Sequence, residues 1–126
     1  MNRDETLVSI VDDDESLRRS VRNLLTSMGF RVETFPSAEA FLGSANRSDT
    51  ACLVLDLRMP RLDGFELARK LRADPSTCRL PMVAVTGDPM ADDSIAARAP
   101  FTRVLRKPIS GGLLLDTVSG VIHPTH

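Results

Sequence analysis

Hydrophobic positions follow two alternating rhythms along the chain. Leu7-Val-Ser-Ile-Val11 is a short apolar run rich in β-branched residues, cut off by Asp12-Asp-Asp14, and it predicts a strand. After it, Leu17, Val21, Leu24, Leu25 and Met28 recur at the spacing of one helical face, which Gly29 closes. Arg31-Val-Glu-Thr-Phe35 alternates as a strand and stops at Pro36, and Ser37 is placed to cap a helix with Ala38, Ala40, Phe41 and Leu42 as its apolar residues.

The same scheme continues downstream. Ala51 to Leu55 reads as a fully buried strand, and a loop runs from Asp56 to Gly64. A helix then extends from about Phe65 to Ala73, ended by Asp74-Pro75. Pro81 to Val85 predicts a fourth strand with a turn over 86–90, residues 91–99 a weak helix, and Phe101 to Leu105 a fifth strand. Lys107-Pro108 is a turn, Leu113 to Val121 a final helix, and 122–126 a frayed tail.

Strands and helices in strict alternation predict an α/β fold, a parallel sheet covered on both faces. Right-handed crossovers leave few topologies, and the doubly wound (βα)5 parallel sheet in the flavodoxin-like order 2-1-3-4-5 is the expected one. Such a sheet binds ligands beyond the carboxyl ends of its strands where the order reverses, here between the first and third strands.

The 126 residues fit a single domain spanning 1–126, with no linker or repeat to divide it. No apolar run is long enough to span a membrane, and Met1-Asn-Arg-Asp-Glu-Thr6 lacks a secretory leader, so neither membrane association nor export is expected. Sixteen basic against seventeen acidic residues, with no Trp or Tyr, lack the electrostatic footprint and stacking platforms of a direct nucleic-acid binder. Cys52 and Cys78 are too few for a disulfide framework and have no nearby histidines for zinc, which fits a reduced, cytoplasmic protein. Cys52 reads as core and Cys78 as loop. His123 and His126 read as solvated tail, Met59 as packing under a loop, and Arg18, Arg19 and Arg22 as the wet face of the first helix.

The strand ends carry the chemistry. Asp12 and Asp13 follow strand one, Asp56 follows strand three, Thr86-Gly87 strand four and Lys107-Pro108 strand five. Each alone reads as a turn, a cap or a surface charge, and Asp14 is best read as a helix cap. Together they would share one rim. Three crowded carboxylates need raised pKa values or a cation, and Mg²⁺ suits an oxygen-only site that offers few protein ligands. With Lys107 the formal sum is -2, which one Mg²⁺ cancels. A lysine, a hydroxyl and a small glycine beside it leave a place for a phosphoryl group.

These motifs resemble the receiver domains of bacterial two-component response regulators, the CheY-like superfamily. Ile10-Val-Asp-Asp-Asp-Glu15 is similar to the acidic opening motif and Leu53-Val-Leu-Asp-Leu-Arg-Met-Pro-Arg-Leu-Asp-Gly64 to the phosphoacceptor loop. Val85-Thr-Gly87 resembles the switch hydroxyl with its small neighbour, and Arg106-Lys-Pro108 the lysine before proline. The Leu-Arg-Met-Pro wording and Ser37-Ala-Glu-Ala-Phe41 are most like FixJ-type receivers. The resemblance implies that Asp56 accepts a phosphoryl group from a sensor histidine kinase or a histidine phosphotransfer protein. It implies Mg²⁺ held by Asp13, Asp56 and the backbone carbonyl of Arg58, with Asp12 assisting. Lys107 and Thr86 would contact the phosphoryl oxygens, Gly87 would keep the approach open, and the bond before Pro108 would be cis.

Two departures from the family pattern stand out. Val104 occupies the position where many receivers carry an aromatic switch. Ala99-Pro-Phe101 replaces the usual small-residue step in a stretch that is also slightly short, so the helix over 91–99 is expected to be short or displaced. The chain is expected to act through an output protein or a further C-terminal effector domain, which FixJ-type receivers usually precede, and phosphorylation could drive homodimerisation. The start at Met1 fits a natural beginning, and the first helix is an expected kinase contact. An alternative is a Mg²⁺-dependent phosphatase or phosphotransferase with an aspartyl nucleophile. Arg58 stands where such enzymes place a second aspartate, and no cap domain is visible. A phosphorylation-independent docking module would be expected to lack Asp13, Asp56 or Lys107, and a Rossmann domain needs a Gly-x-Gly-x-x-Gly that is absent.

Overall fold

The computed structural model describes residues 6–45, 47–57, 64–87 and 101–122. Along the chain these form β1 (Leu7–Val11), α1 (Glu15–Ser27), β2 (Arg31–Phe35), α2 (Ala38–Leu42), a 3₁₀ turn (Arg47–Asp49) and β3 (Thr50–Asp56). They continue as α3 (Gly64–Ala73), β4 (Met82–Thr86), β5 (Arg103–Arg106) and α4 (Gly111–Ile122). The expected helix over 91–99 lies outside the described residues, as do Met59, His123 and His126.

All neighbouring strands pair in parallel, in the order β2-β1-β3-β4-β5. Because side chains alternate across a strand, each central strand supplies two faces. Val8, Ile10, Cys52, Val54, Val83 and Val85 point to one, where Val21 and Leu25 of α1 and Leu114 and Val118 of α4 cover them. Val11, Leu53, Leu55 and Met82 point to the other, beneath Ala38 and Phe41 of α2 and Leu67, Ala68 and Leu71 of α3. Burying a leucine, valine or phenylalanine stabilises by about 1.5–3 kcal/mol before chain entropy is counted. The two cores therefore hold the strand ends in fixed register.

The caps match the sequence. Asp14 accepts from the backbone N–H groups of Ser16 and Leu17 at the start of α1, Gly29 leaves the helix at φ 94°, and Ser37 accepts from Ala40 N–H. Several boundaries differ from expectation, each for a local reason. Thr50 belongs to β3 and its hydroxyl meets that of Ser9 at 2.7 Å. Pro81, lacking an N–H, precedes β4 but accepts from Leu53 N at 3.0 Å.

Phe101 and Thr102 lie before β5 rather than in it. The Thr102 backbone N–H donates to Met82 O at 2.8 Å while its hydroxyl accepts from Met82 N at 3.2 Å, so a side chain continues the ladder. Phe101 packs edge-on against Phe65, ring centroids 5.7 Å apart. The last helix begins at Gly111, not Leu113, because Ser110 caps it and accepts from Leu113 N at 3.0 Å. It runs through Ile122, so that residue is helix and not tail. Met28 is 41% exposed at the end of α1, beyond the apolar stripe rather than within it.

Candidate functional site

The parallel registers bring the predicted strand-end residues to one rim. Val11 pairs with Leu55, Asp56 with Val85 and Thr86 with Arg106, so the next residues along, Asp12 and Lys107, overhang the same edge. Lys107 is anchored there by its own N–H, which donates to Thr86 O at 2.8 Å. Asp12 is anchored likewise through Phe35 O at 3.1 Å. Strand order reverses between β1 and β3, which opens the crevice where such sheets bind ligands.

One carboxylate oxygen from each of Asp12, Asp13 and Asp56 falls within a common 4.8 Å. Asp12 and Asp56 are buried, at 3% and 6% exposed, whereas Asp13 faces solvent. Lys107 bridges the two buried acids: its Nζ lies 3.2 Å from Asp56 Oδ2, as a hydrogen bond, and 3.6 Å from Asp12 Oδ2. Burial pushes the Asp12 carboxyl above its ordinary value, and the Asp56 charge adds to the rise. The Asp14 backbone N–H, donating to Asp12 Oδ1 at 2.8 Å, opposes it. For Lys107, burial pulls the ammonium's pKa down, but the Asp12 and Asp56 charges outweigh this and raise it, so the side chain stays cationic at neutral pH.

Unit charges 4 Å apart interact by about 4 kcal/mol at an effective dielectric of 20, so one lysine does not neutralise three acids. The donor set is all oxygen, partly buried and open on the Asp13 side. It fits a hard divalent cation that keeps several waters, as Mg²⁺ does.

Gly64 shapes the crevice wall. A Cβ there would stand 2.7 Å from Asp56 O and 2.9 Å from Leu57 Cα, while the Gly64 N–H donates to Leu57 O at 3.2 Å. Only glycine allows α3 to start this close to the Asp56 backbone. Thr86 is 1% exposed at the end of β4. A Cβ on the exposed Gly87 would lie 4.0 Å from Lys107 Cδ, so its absence leaves room above the lysine.

The bond between Lys107 and the exposed Pro108 is cis. Val104 on β5, half-buried, pairs with Ala84 of β4 and does not reach the rim. Arg58 lies outside the described residues. Cys52 is buried, which pushes its thiol up to about 12, and Cys78 is exposed at the opposite end of the sheet, beside a cavity of about 410 Å³.

Sequence reasoning overlooked two residues at the site. Gly64 closes the loop that begins at Asp56, and an Asp-Gly pair opening a helix is its only signal. Arg18, read as wet helix surface with Arg19 and Arg22, is half-buried and donates to Asp12 O at 2.7 Å. Arg19 and Arg22 are exposed as expected.

Against known proteins, the model of the response regulator receiver domain matches residues 8–119. The response regulator protein TmoT of Ectopseudomonas mendocina is 37% identical over 110 residues, covering 85% of this chain and 50% of its own length. The transcriptional regulatory protein FixJ of Rhizobium meliloti is 37% identical over 114 residues, covering 88% of this chain and 54% of its own. The chain thus spans about half the length of these curated relatives. Among solved structures, FixJ-N superposes with a TM-score of 0.75 at 34% identity, covering 96% of each chain. The receiver domain of a Pseudomonas aeruginosa sensor histidine kinase, solved with a magnesium ion coordinated in its active-site cleft, gives a TM-score of 0.82 at 25% identity, covering 93% of this chain and 97% of that one.

Proposed function

The chain belongs to the response regulator receiver domain family of two-component signal transduction, and from that premise we propose that Asp56 is its phosphoacceptor. The observation that carries this reading is the convergence of Asp12, Asp13 and Asp56 within 4.8 Å, with Lys107 bridging the two buried acids.

A carboxylate oxygen of Asp56 attacks the phosphorus of a phosphohistidine on a sensor kinase or phosphotransfer protein. The phosphorus–nitrogen bond breaks, its electron pair stays on the imidazole, and an acyl phosphate forms on Asp56. Lys107, cationic beside Asp56, moves its ammonium contact onto the phosphoryl oxygens. The Thr86 hydroxyl donates to the same group, and Gly87 leaves its approach open. Asp12, Asp13 and Asp56, with the Arg58 carbonyl that the family resemblance implies, would hold a Mg²⁺ ion, which would neutralise charge on the phosphoryl group.

Hydrolysis by water returns Asp56 and inorganic phosphate, so the domain catalyses only its own phosphorylation and dephosphorylation. Residues 1–126 act as a single cytoplasmic receiver. With Val104 in place of an aromatic ring, Thr86 moves the surface of β5 and α4 without a swinging partner. That surface addresses an output protein, an effector domain or a second copy.

The test is incubation with Mg²⁺ and acetyl phosphate, followed by intact-mass measurement. One added phosphoryl group is expected, absent with EDTA and absent in Asp56→Asn. Full labelling of Asp56→Asn would refute the assignment.

A further inference from the structure

We infer that Arg18 is a positioning residue for the metal-binding turn, aiming Asp13 at the cation; this rests on the magnesium reading above. Asp12 and Asp13 sit on a short turn between β1 and α1, held at several points. Asp12 N–H donates to Phe35 O at 3.1 Å, and Asp14 N–H donates to Asp12 Oδ1 at 2.8 Å. The Asp14 side chain is engaged in capping α1. Asp13 is exposed and, unlike Asp12 and Asp14, has no hydrogen-bond or ion-pair partner among the described residues. Its direction must therefore come from the backbone.

The Asp12 carbonyl belongs to the peptide plane that joins Asp12 to Asp13, and planarity ties the carbonyl's direction to the Asp13 N–Cα bond. Arg18 Nη1 donates to that carbonyl at 2.7 Å, reaching back six residues from the second turn of α1. Its neighbours leave it free for this. Arg19 pairs with Glu15 at 3.6 Å, and Arg18, Arg19, Arg22, Glu15 and Thr34 line a cavity of about 190 Å³ that gives the guanidinium space beside the rim. A turn fixed in this way offers Asp13 already oriented, so less freedom is lost when a cation binds.

Charge and positioning predict opposite signs. Arg18 adds a positive charge near a cation site, so on Coulomb grounds alone its removal tightens Mg²⁺ binding. Positioning predicts the reverse. Groups that orient metal ligands typically affect affinity by about 10- to 100-fold.

The experiment is a Mn²⁺ titration of the whole chain by electron paramagnetic resonance, with Mg²⁺ as competitor, on wild type, Arg18→Met and Arg18→Lys. Metal-free thermal melts run alongside. Mg²⁺ affinity about tenfold weaker in Arg18→Met is expected, with a near-normal melt. An intermediate loss is expected in Arg18→Lys, which keeps the charge but not the planar fork. Unchanged or tighter binding in Arg18→Met overturns the inference. So does unchanged binding in Arg18→Lys, which applies even if the Met variant fails to fold. Absence of competable metal binding in wild type overturns the magnesium reading itself, an outcome distinct from either.

Discussion

At the amino end of the sheet, the turn from α3 to β4 satisfies its polar groups from within. Thr77 Oγ1 donates to Leu71 O at 2.7 Å, Arg72 Nη1 reaches Cys78 O at 3.1 Å and Leu80 O at 2.6 Å, and Asp74 accepts from both the N–H and the hydroxyl of Ser76. At the carboxyl end the partners come from separate strands, as when Lys107 reaches Asp56 across 51 residues of sequence, and like charges remain beside one another. Two aspartates make the contrast concrete. Hydrogen bonds from Ser76 hold the exposed Asp74 carboxyl below its ordinary pKa, whereas burial, reinforced by Asp56, lifts that of Asp12. One end completes a turn. The other carries an excess of negative charge that a cation can neutralise, and such an arrangement points to a candidate functional site.

Removing the rim's own cation should give the largest effect. Lys107→Met is expected to slow labelling of Asp56 by acetyl phosphate on the order of a hundredfold. Arg72→Met at the opposite end should leave that rate near wild type and instead lower stability by about 1–2 kcal/mol, given its charged donor and partial exposure. Equal slowing by the two substitutions would erase the distinction between the ends. Next in size is the metal itself. Mg²⁺ at a hundredfold excess over its dissociation constant should add about 2.7 kcal/mol to unfolding stability, read as a melting shift that EDTA abolishes.

The smallest effect is the pH dependence of the two aspartates. A raised folded pKa means that the stability linked to Asp12 is present below its unfolded value and is lost as pH rises through the folded one. Asp12→Asn should therefore melt higher than metal-free wild type at neutral pH, with the gap closing toward acid. The lowered pKa of Asp74 has the opposite sign: its contribution is present above the unfolded value and is lost as pH falls through the folded one. Asp74→Asn should melt lower at neutral pH and converge on wild type in acid. Parallel melting curves for the two variants would contradict the contrast.

Much of this was legible from the residues, because hydrophobic period and strand-end chemistry are local signals. β2 ran from Arg31 to Phe35 as expected, and the acids, threonine and lysine met at one rim because parallel pairing aligns the carboxyl ends of strands. What escaped depended on tertiary partners. Phe101 looked like strand until its ring found Phe65 and Thr102 took over the ladder. The final helix was expected from Leu113, yet it includes Gly111 and Gly112, poor helix formers, because a serine cap and the burial of Leu114 and Val118 override propensity. Arg18 looked like solvated surface because its partner is a backbone carbonyl, which has no signature in sequence. The expected helix over 91–99 lies outside the described residues.

The central claim, that the phosphoryl group rests on Asp56 and not on a neighbouring acid, is most directly tested by trapping the ester. Protein labelled with acetyl phosphate and Mg²⁺ is reduced with borohydride, which converts an acyl phosphate to the corresponding alcohol, and the peptides are sequenced by mass spectrometry. Homoserine at position 56, with Asp12 and Asp13 unchanged, is the predicted result. Reduction at Asp12 or Asp13 with Asp56 intact, or a label that resists borohydride altogether, would contradict it.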